Sequence, residues 1–151
     1  MPHQSADILI YQDKKYYIYE EPLSGYLKQA DLPYPLVAPN TACKRGYYAK
    51  YVVQSNKLFL IEWNGYIKDY MKVGMDYLFP GETFVFADWF TGDIRIGALG
   101  RFLASGGSYP IHEGRLMLQF EQGLFIKEFE KWLPKEDADR LEEEEKKETP
   151  F

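Results

Sequence analysis

Gly46-Tyr47-Tyr48-Ala49-Lys50-Tyr51-Val52-Val53-Gln54, then Ser55-Asn56-Lys57, then Leu58-Phe59-Leu60-Ile61-Glu62-Trp63, is the stretch whose reading decides the fold. In an extended chain Tyr47, Ala49, Tyr51 and Val53 share one face, and Tyr48, Lys50 and Val52 share the other. A period of two with β-branched and aromatic residues describes a strand. Ser55-Asn56-Lys57 tolerates the left-handed backbone of a tight turn, so the two runs are read as an antiparallel hairpin.

The same pattern recurs outward from this pair. Asp7–Tyr11 and Lys15–Tyr19 flank Gln12-Asp13-Lys14 as a first hairpin. Residues 21–40 carry Pro22, Pro33, Pro35 and Pro39 and read as an irregular connection with one helical turn near Leu23–Ala30. Asn64-Gly65 reads as a turn, and Tyr66–Leu78 as a short helix or loop. A third hairpin is expected from Thr83–Trp89 and Asp93–Ile96 across Phe90-Thr91-Gly92, followed by an irregular segment through Gly97, Gly100, Gly106 and Gly107. A last hairpin joins Arg115–Glu121 to Leu124–Lys131 across Gln122-Gly123. The fold class is therefore mainly β, with a β-rich α+β arrangement as the alternative: an antiparallel meander of hairpins forming an open barrel or a two-layer roll.

Composition fits this reading. The 151 residues include 13 Tyr, 10 Phe and 3 Trp, enough for a large aromatic core. One domain spans residues 1–133 at the usual domain size of ~100–150 residues. Residues 134–151 form an acidic tail, expected to be disordered or a solvated helix because Leu141 is its one large aliphatic residue. Four cations and eight anions lie between 134 and 150, so all but one unit of the net charge of −5 belongs to the tail. A near-neutral body lacks the electrostatic footprint of a nucleic-acid binder. The segment Met1–Asp7 lacks a basic start and an apolar stretch, no apolar run approaches the ~18–20 residues of a membrane span, and Cys43 stands alone. The expectation is a cytoplasmic protein with no membrane partner and no disulfide.

Chemistry-bearing residues are sparse. Cys43 and His112 could form a thiolate–imidazole dyad only if the fold joined them, and Cys43 reads more simply as a small buried side chain. Two histidines and one cysteine give no zinc spacing, and Asp76, Glu82, Asp88 and Asp93 form no calcium loop, so no metal and no cofactor are expected. Ala104–Tyr109 is Gly/Ser-rich but lacks the lysine of a phosphate loop. In Phe84–Ile96, charged residues interrupt an aromatic run. Asp88, Trp89 and Arg95, with Glu62 as a partner for Arg95, are the ligand-binding candidates, against a simpler role for Asp88 in capping a turn.

Thr41-Ala42-Cys43-Lys44-Arg45-Gly46-Tyr47, Phe79-Pro80-Gly81 and Val85-Phe86-Ala87-Asp88-Trp89-Phe90-Thr91-Gly92-Asp93-Ile94-Arg95-Ile96 resemble segments of a family of uncharacterised bacterial proteins. The resemblance covers roughly residues 6–130 and implies a bacterial, cytosolic setting but no activity.

Function is read from the tyrosines. Only one face of each strand can be core, so Tyr16, Tyr17, Tyr19 and Tyr48 are candidate interface residues, tyrosine being frequent at binding hot spots. The expectation is a non-enzymatic protein-binding domain, of which toxin immunity is one form. The alternative is a small-ligand-binding β-barrel, and an enzyme using Cys43 ranks below both. Association with a second copy through a Tyr-bearing sheet edge is a further option.

Overall fold

The structure, a computed structural model of the chain, describes residues 4–105 and 110–148. Among these, nine strands form one mixed sheet that is not closed into a barrel, and the fold is mainly β. Three hairpins build most of it. β1 (Asp7–Tyr11) returns as β2 (Lys14–Ile18), β3 (Tyr47–Gln54) as β4 (Lys57–Ile67), and β8 (Ile111–Glu121) as β9 (Leu124–Trp132). Each turns through two residues of positive φ: Gln12 and Asp13 at 51° and 63°, Ser55 and Asn56 at 53° and 58°, Gln122 and Gly123 at 48° and 79°. That turn geometry matches the right-handed twist of the strands it joins.

The strand order is β2-β1-β3-β4-β9-β8-β7, where β7 is Gly92–Ala104; β5 (Met71–Val73) and β6 (Val85–Phe86) pair with β4. β4 and β9 are linked only at Lys57 and Leu124, so the sheet divides into two layers at that point. Leu9, Ile18, Tyr51, Leu58, Leu60 and Trp63 of one layer meet Ile94, Leu118 and Phe120 of the other in one buried core. At the open side the Glu20 carboxylate accepts the Arg95 N–H at 3.1 Å, tying the chain after β2 to β7. Burial raises the pKa of Glu20, partly offset by this bond.

β4 shows how register controls burial. Its pairing with β3 shifts at a bulge that leaves Ile61 unpaired. Leu58 and Leu60 are buried before the bulge and Trp63, Gly65 and Ile67 after it. The extra residue flips the phase and turns Glu62 outward, where an unbroken alternation would have buried it.

Four expectations change. Asn64-Gly65 is strand interior, because β4 keeps its pairing as far as Tyr47–Gly65. Glycine is needed there for space: a Cβ would stand 2.3 Å from the Trp63 ring, which lies between Tyr47 and Tyr77 at 6.3 Å from each. The third hairpin does not form; β6 pairs with β4, and β7 pairs with β8. Phe86 finds the Phe59 ring at 5.8 Å, and the Ala87 N–H donates to the Leu58 carbonyl at 2.8 Å, so β4 takes the bonds the hairpin would have made. The meander also contains one parallel pairing, β1 with β3. Finally, Tyr66–Leu78 is the end of β4, a 3-10 turn at Lys68–Tyr70, β5 and a short helix α2 (Met75–Leu78). A helix near Leu23–Ala30 is present as α1 (Ser24–Gln29), and β7 passes through Gly97 and Gly100 with irregular register. Gly106 and Gly107, and most of Ala104–Tyr109, lie outside the described residues.

The acidic segment forms a helix, α3 (Lys135–Glu148), that is docked on β7. Ala138 is buried, and Arg101 of β7 reaches Asp139 at 2.9 Å and Glu142 at 3.0 Å. Buried Ala138 and half-buried Leu141 are the apolar residues of the helix, and Arg101 gathers its carboxylates.

Gly65→Ala is expected to destabilise the fold by about 1–3 kcal/mol, because the added methyl meets a ring held on both sides. Urea unfolding measures this, and an unchanged midpoint contradicts the close approach.

Candidate functional site

Three features could serve function: a buried ion pair, an outward sheet face and a free strand edge. The ion pair forms where the chain first crosses itself. Asp7, fully buried at the start of β1, accepts the Arg45 Nη2–H at 2.7 Å and the Ala49 N–H at 3.0 Å on the same oxygen. Arg45 also donates to the Ser5 carbonyl, approaches Glu21 at 3.5 Å and lies over the Tyr47 ring at 4.9 Å. Burial raises the Asp7 pKa to about 6, against the attraction of Arg45. Burial and the nearby Asp7 charge push the Tyr47 and Tyr51 phenols up, so both stay neutral. Asp7 Oδ2, Arg45 Nε and the Tyr47 hydroxyl find no hydrogen-bond partner among the described groups; the Tyr51 hydroxyl faces the Leu23 backbone without closing a full bond. Asp7, Tyr47 and Tyr51 are buried while Arg45 and Glu21 reach the surface, and the cluster positions β1 against β3.

The outward face of β2-β1-β3-β4 is different. Cross-strand pairing sets Lys15, Ile10, Val52 and Phe59 in one row, continued by Phe86 of β6. The next row is Tyr17, Ile8, Lys50 and Glu62. The Phe84 ring lies 4.3 Å from Phe59 and is 45% exposed, and Tyr17 is 60% exposed. Lys57 sits over the Phe86 ring and Lys15 over the Tyr17 ring. The result is an apolar stripe flanked by Lys15, Lys50 and Lys57, with Glu62 paired across from Lys50. No helix packs on it among the described residues: α3 lies on β7, and Tyr26, Leu27 and Leu78 of α1 and α2 pack into the core.

The expected site residues are spread over different surroundings. Asp88 and Glu62 are exposed. Trp89 is half-buried, with its indole N–H on the Pro22 carbonyl at 2.9 Å and its ring 4.9 Å from Tyr26. Arg95 is half-buried beside Glu20. Of the interface tyrosines, Tyr17 and Tyr48 lie on the outward face, where Tyr48 packs edge-on to Tyr66 at 6.3 Å. Tyr16 turns inward beside Tyr11, and Tyr19 is half-buried next to Glu20. Cys43 is buried with its thiol on the Tyr47 carbonyl, whereas His112 stands against Phe102 on the β7–β8 pair.

What the tyrosine-centred reading missed is the aliphatic and phenylalanine content of that face. Its signal was present: Ile8-Leu9-Ile10 and Leu58-Phe59-Leu60-Ile61 are unbroken apolar runs, apolar on both faces of a strand. Among the described residues, no three His, Cys, Asp or Glu side chains converge to hold a metal ion, and no helix is long and apolar enough to cross a membrane. Comparison with protein-family models, curated proteins and solved structures returned no match, so the resemblance to uncharacterised bacterial proteins stays an expectation from those segments alone.

Asp7 has a pH signature. The folded chain keeps its proton to higher pH than the unfolded chain, so this group's stabilising contribution declines as pH rises from 3.8 to about 6. Relative to Asp7→Asn, which does not titrate, the wild type is expected to lose up to about 3 kcal/mol across that window. Denaturant unfolding at a series of pH values measures the difference; a pH-independent difference contradicts it.

Proposed function

We propose that this chain is a non-enzymatic protein-binding module whose recognition surface is the outward face of β2-β1-β3-β4. The observation that carries this reading is the apolar row Ile10–Val52–Phe59–Phe86, capped by exposed Phe84 and overlaid by no helix among the described residues. Contiguous apolar patches rimmed by polar groups mark interaction sites. The rim specifies the partner's chemistry: three lysines and one glutamate, on a chain of net charge −5, select an acidic surface around an apolar centre. Neutralising a toxin is one role that suits such a face. The small-ligand alternative has less support, because the sheet is not closed and Trp63, Tyr51 and Phe120 fill the space between its layers.

A photo-crosslinker at position 84 is expected to trap an acidic partner from lysate of the source cells, whereas one at exposed Glu143 of α3 is not. Lys15→Glu with Lys57→Glu should cut trapping at 84 by about tenfold or more, with little change in melting temperature. Equal trapping at 143, or trapping at 84 unaffected by the charge reversal, contradicts the proposal.

A further inference from the structure

β9 outruns its neighbour. It meets β4 only where Leu124 faces Lys57, because the chain reverses at Ser55-Asn56 and β3 leads back into the first layer. From Ile126 to Trp132 the edge of β9 away from β8 has no strand partner among the described residues.

One bond fixes the direction of its backbone groups. The Leu133 N–H donates to the Glu113 carbonyl at 2.8 Å, on the β8 side. By antiparallel alternation Lys127, Phe129 and Lys131 also turn their N–H and C=O toward β8, and Glu128, Glu130 and Trp132 turn theirs to the free edge. The side chains sort as cleanly. Glu128, Glu130 and Trp132 share the face of Leu118, Leu116 and Gly114, while Lys127, Phe129 and Lys131 share that of Gln119, Met117 and Arg115. The edge thus carries an acidic row on one face and a basic row on the other. Ile126, 48% exposed, and Trp132, 51% exposed, stand at its two ends.

Charged edges keep sheets from pairing with their own copies. Here a two-fold antiparallel pairing would set glutamates against glutamates and lysines against lysines, which is destabilising. The same rows complement a strand of opposite pattern. A purely protective edge also has no use for two half-exposed apolar side chains that bracket the charges. Trp132 is held for contact: its indole lies flat on Gly114, where a Cβ would come within 2.6 Å, and its N–H donates to Glu130 at 3.0 Å.

We propose that the free edge of β9 takes an extended segment of another protein as an added antiparallel strand in line with β4, with basic residues opposite Glu128 and Glu130 and acidic residues opposite Lys127 and Lys131. Main-chain bonds to Glu128, Glu130 and Trp132 supply affinity, and the alternating charges set the register. This site is separate from the lysine-rimmed face.

The probe is a capped peptide Thr-Glu-Lys-Val-Lys-Glu-Thr, compared with its charge-reversed counterpart Thr-Lys-Glu-Val-Glu-Lys-Thr, titrated into the isotope-labelled chain and followed by amide NMR. The first is expected to bind at least about tenfold more tightly and to slow exchange of the Glu128, Glu130 and Trp132 amides. Glu130→Pro removes an outward N–H that β8 does not use, so it should abolish binding while the Lys127, Phe129 and Lys131 amides stay protected. If that variant does not fold, Glu128→Lys with Glu130→Lys is used instead and should erase the preference between the peptides. Equal affinity for the two peptides, or protection at other amides, overturns the proposal.

Discussion

The Asp7 carboxylate is the constraint from which the rest of the molecule follows. The three hairpins are local: two strands and a two-residue turn specify each one. β1 against β3 is not local. It is a parallel pairing between segments separated by more than thirty residues, so no tight turn can set its register. Asp7 sets it instead, by accepting the Ala49 N–H and the Arg45 guanidinium on one oxygen. The N-terminal segment extends the clasp: the Ser5 N–H donates to Ala42 at 2.7 Å, and the Gln4 side chain bonds Thr41 and Lys44. Removing two charges from water costs several kcal/mol per ion, so such a pair persists only where its geometry and extra hydrogen bonds are good. Around Arg45 they are met in part: its guanidinium also bonds the Ser5 carbonyl, whereas Asp7 Oδ2 and Arg45 Nε find no partner among the described groups and burial raises the Asp7 pKa.

Fixing β1 beside β3 has consequences on both sides of the sheet. Inward, it sets Leu9 against Tyr51 and completes the core. Outward, it aligns Ile8 with Lys50 and Ile10 with Val52, which joins the aliphatic residues of the first hairpin to the phenylalanines on and beside β4. The apolar stripe and its lysine rim exist only in this register; a shift by one residue would turn Asp7 to solvent and bury Ile8 and Ile10. The core and the proposed recognition face therefore share one determinant.

Much of this was legible from the residues. The period of two in Tyr47–Val53 and the turn residues Gln12-Asp13, Ser55-Asn56 and Gln122-Gly123 gave the three hairpins, because those signals are local and steric. The misreadings share a cause. Asn64-Gly65 carries a strong turn signature, but its glycine leaves space for the ring of Trp63, which Tyr47 and Tyr77, distant in sequence, hold in place. Thr83–Trp89 looks like half a hairpin, but β4 offers Phe86 a better aromatic neighbour. The pairing of β1 with β3 and the docking of α3 through Arg101 both join residues far apart in sequence, where pattern gives no distance. The site was less legible than the fold. Asp88 and Arg95 stood out as charges in an aromatic run, whereas the outward face is composed of ordinary Ile, Val, Phe and Lys, distinguished only by which face they share.

Hydrogen exchange of Asp7→Ala tests the account most directly. If the clasp holds the first hairpin in place, the amides of β1 and β2 should lose most of their protection, while those of β8 and the β8-facing side of β9 keep theirs. Protection of β1 and β2 equal to that of the wild type would contradict the account, because the register of the outward face would then not depend on Asp7.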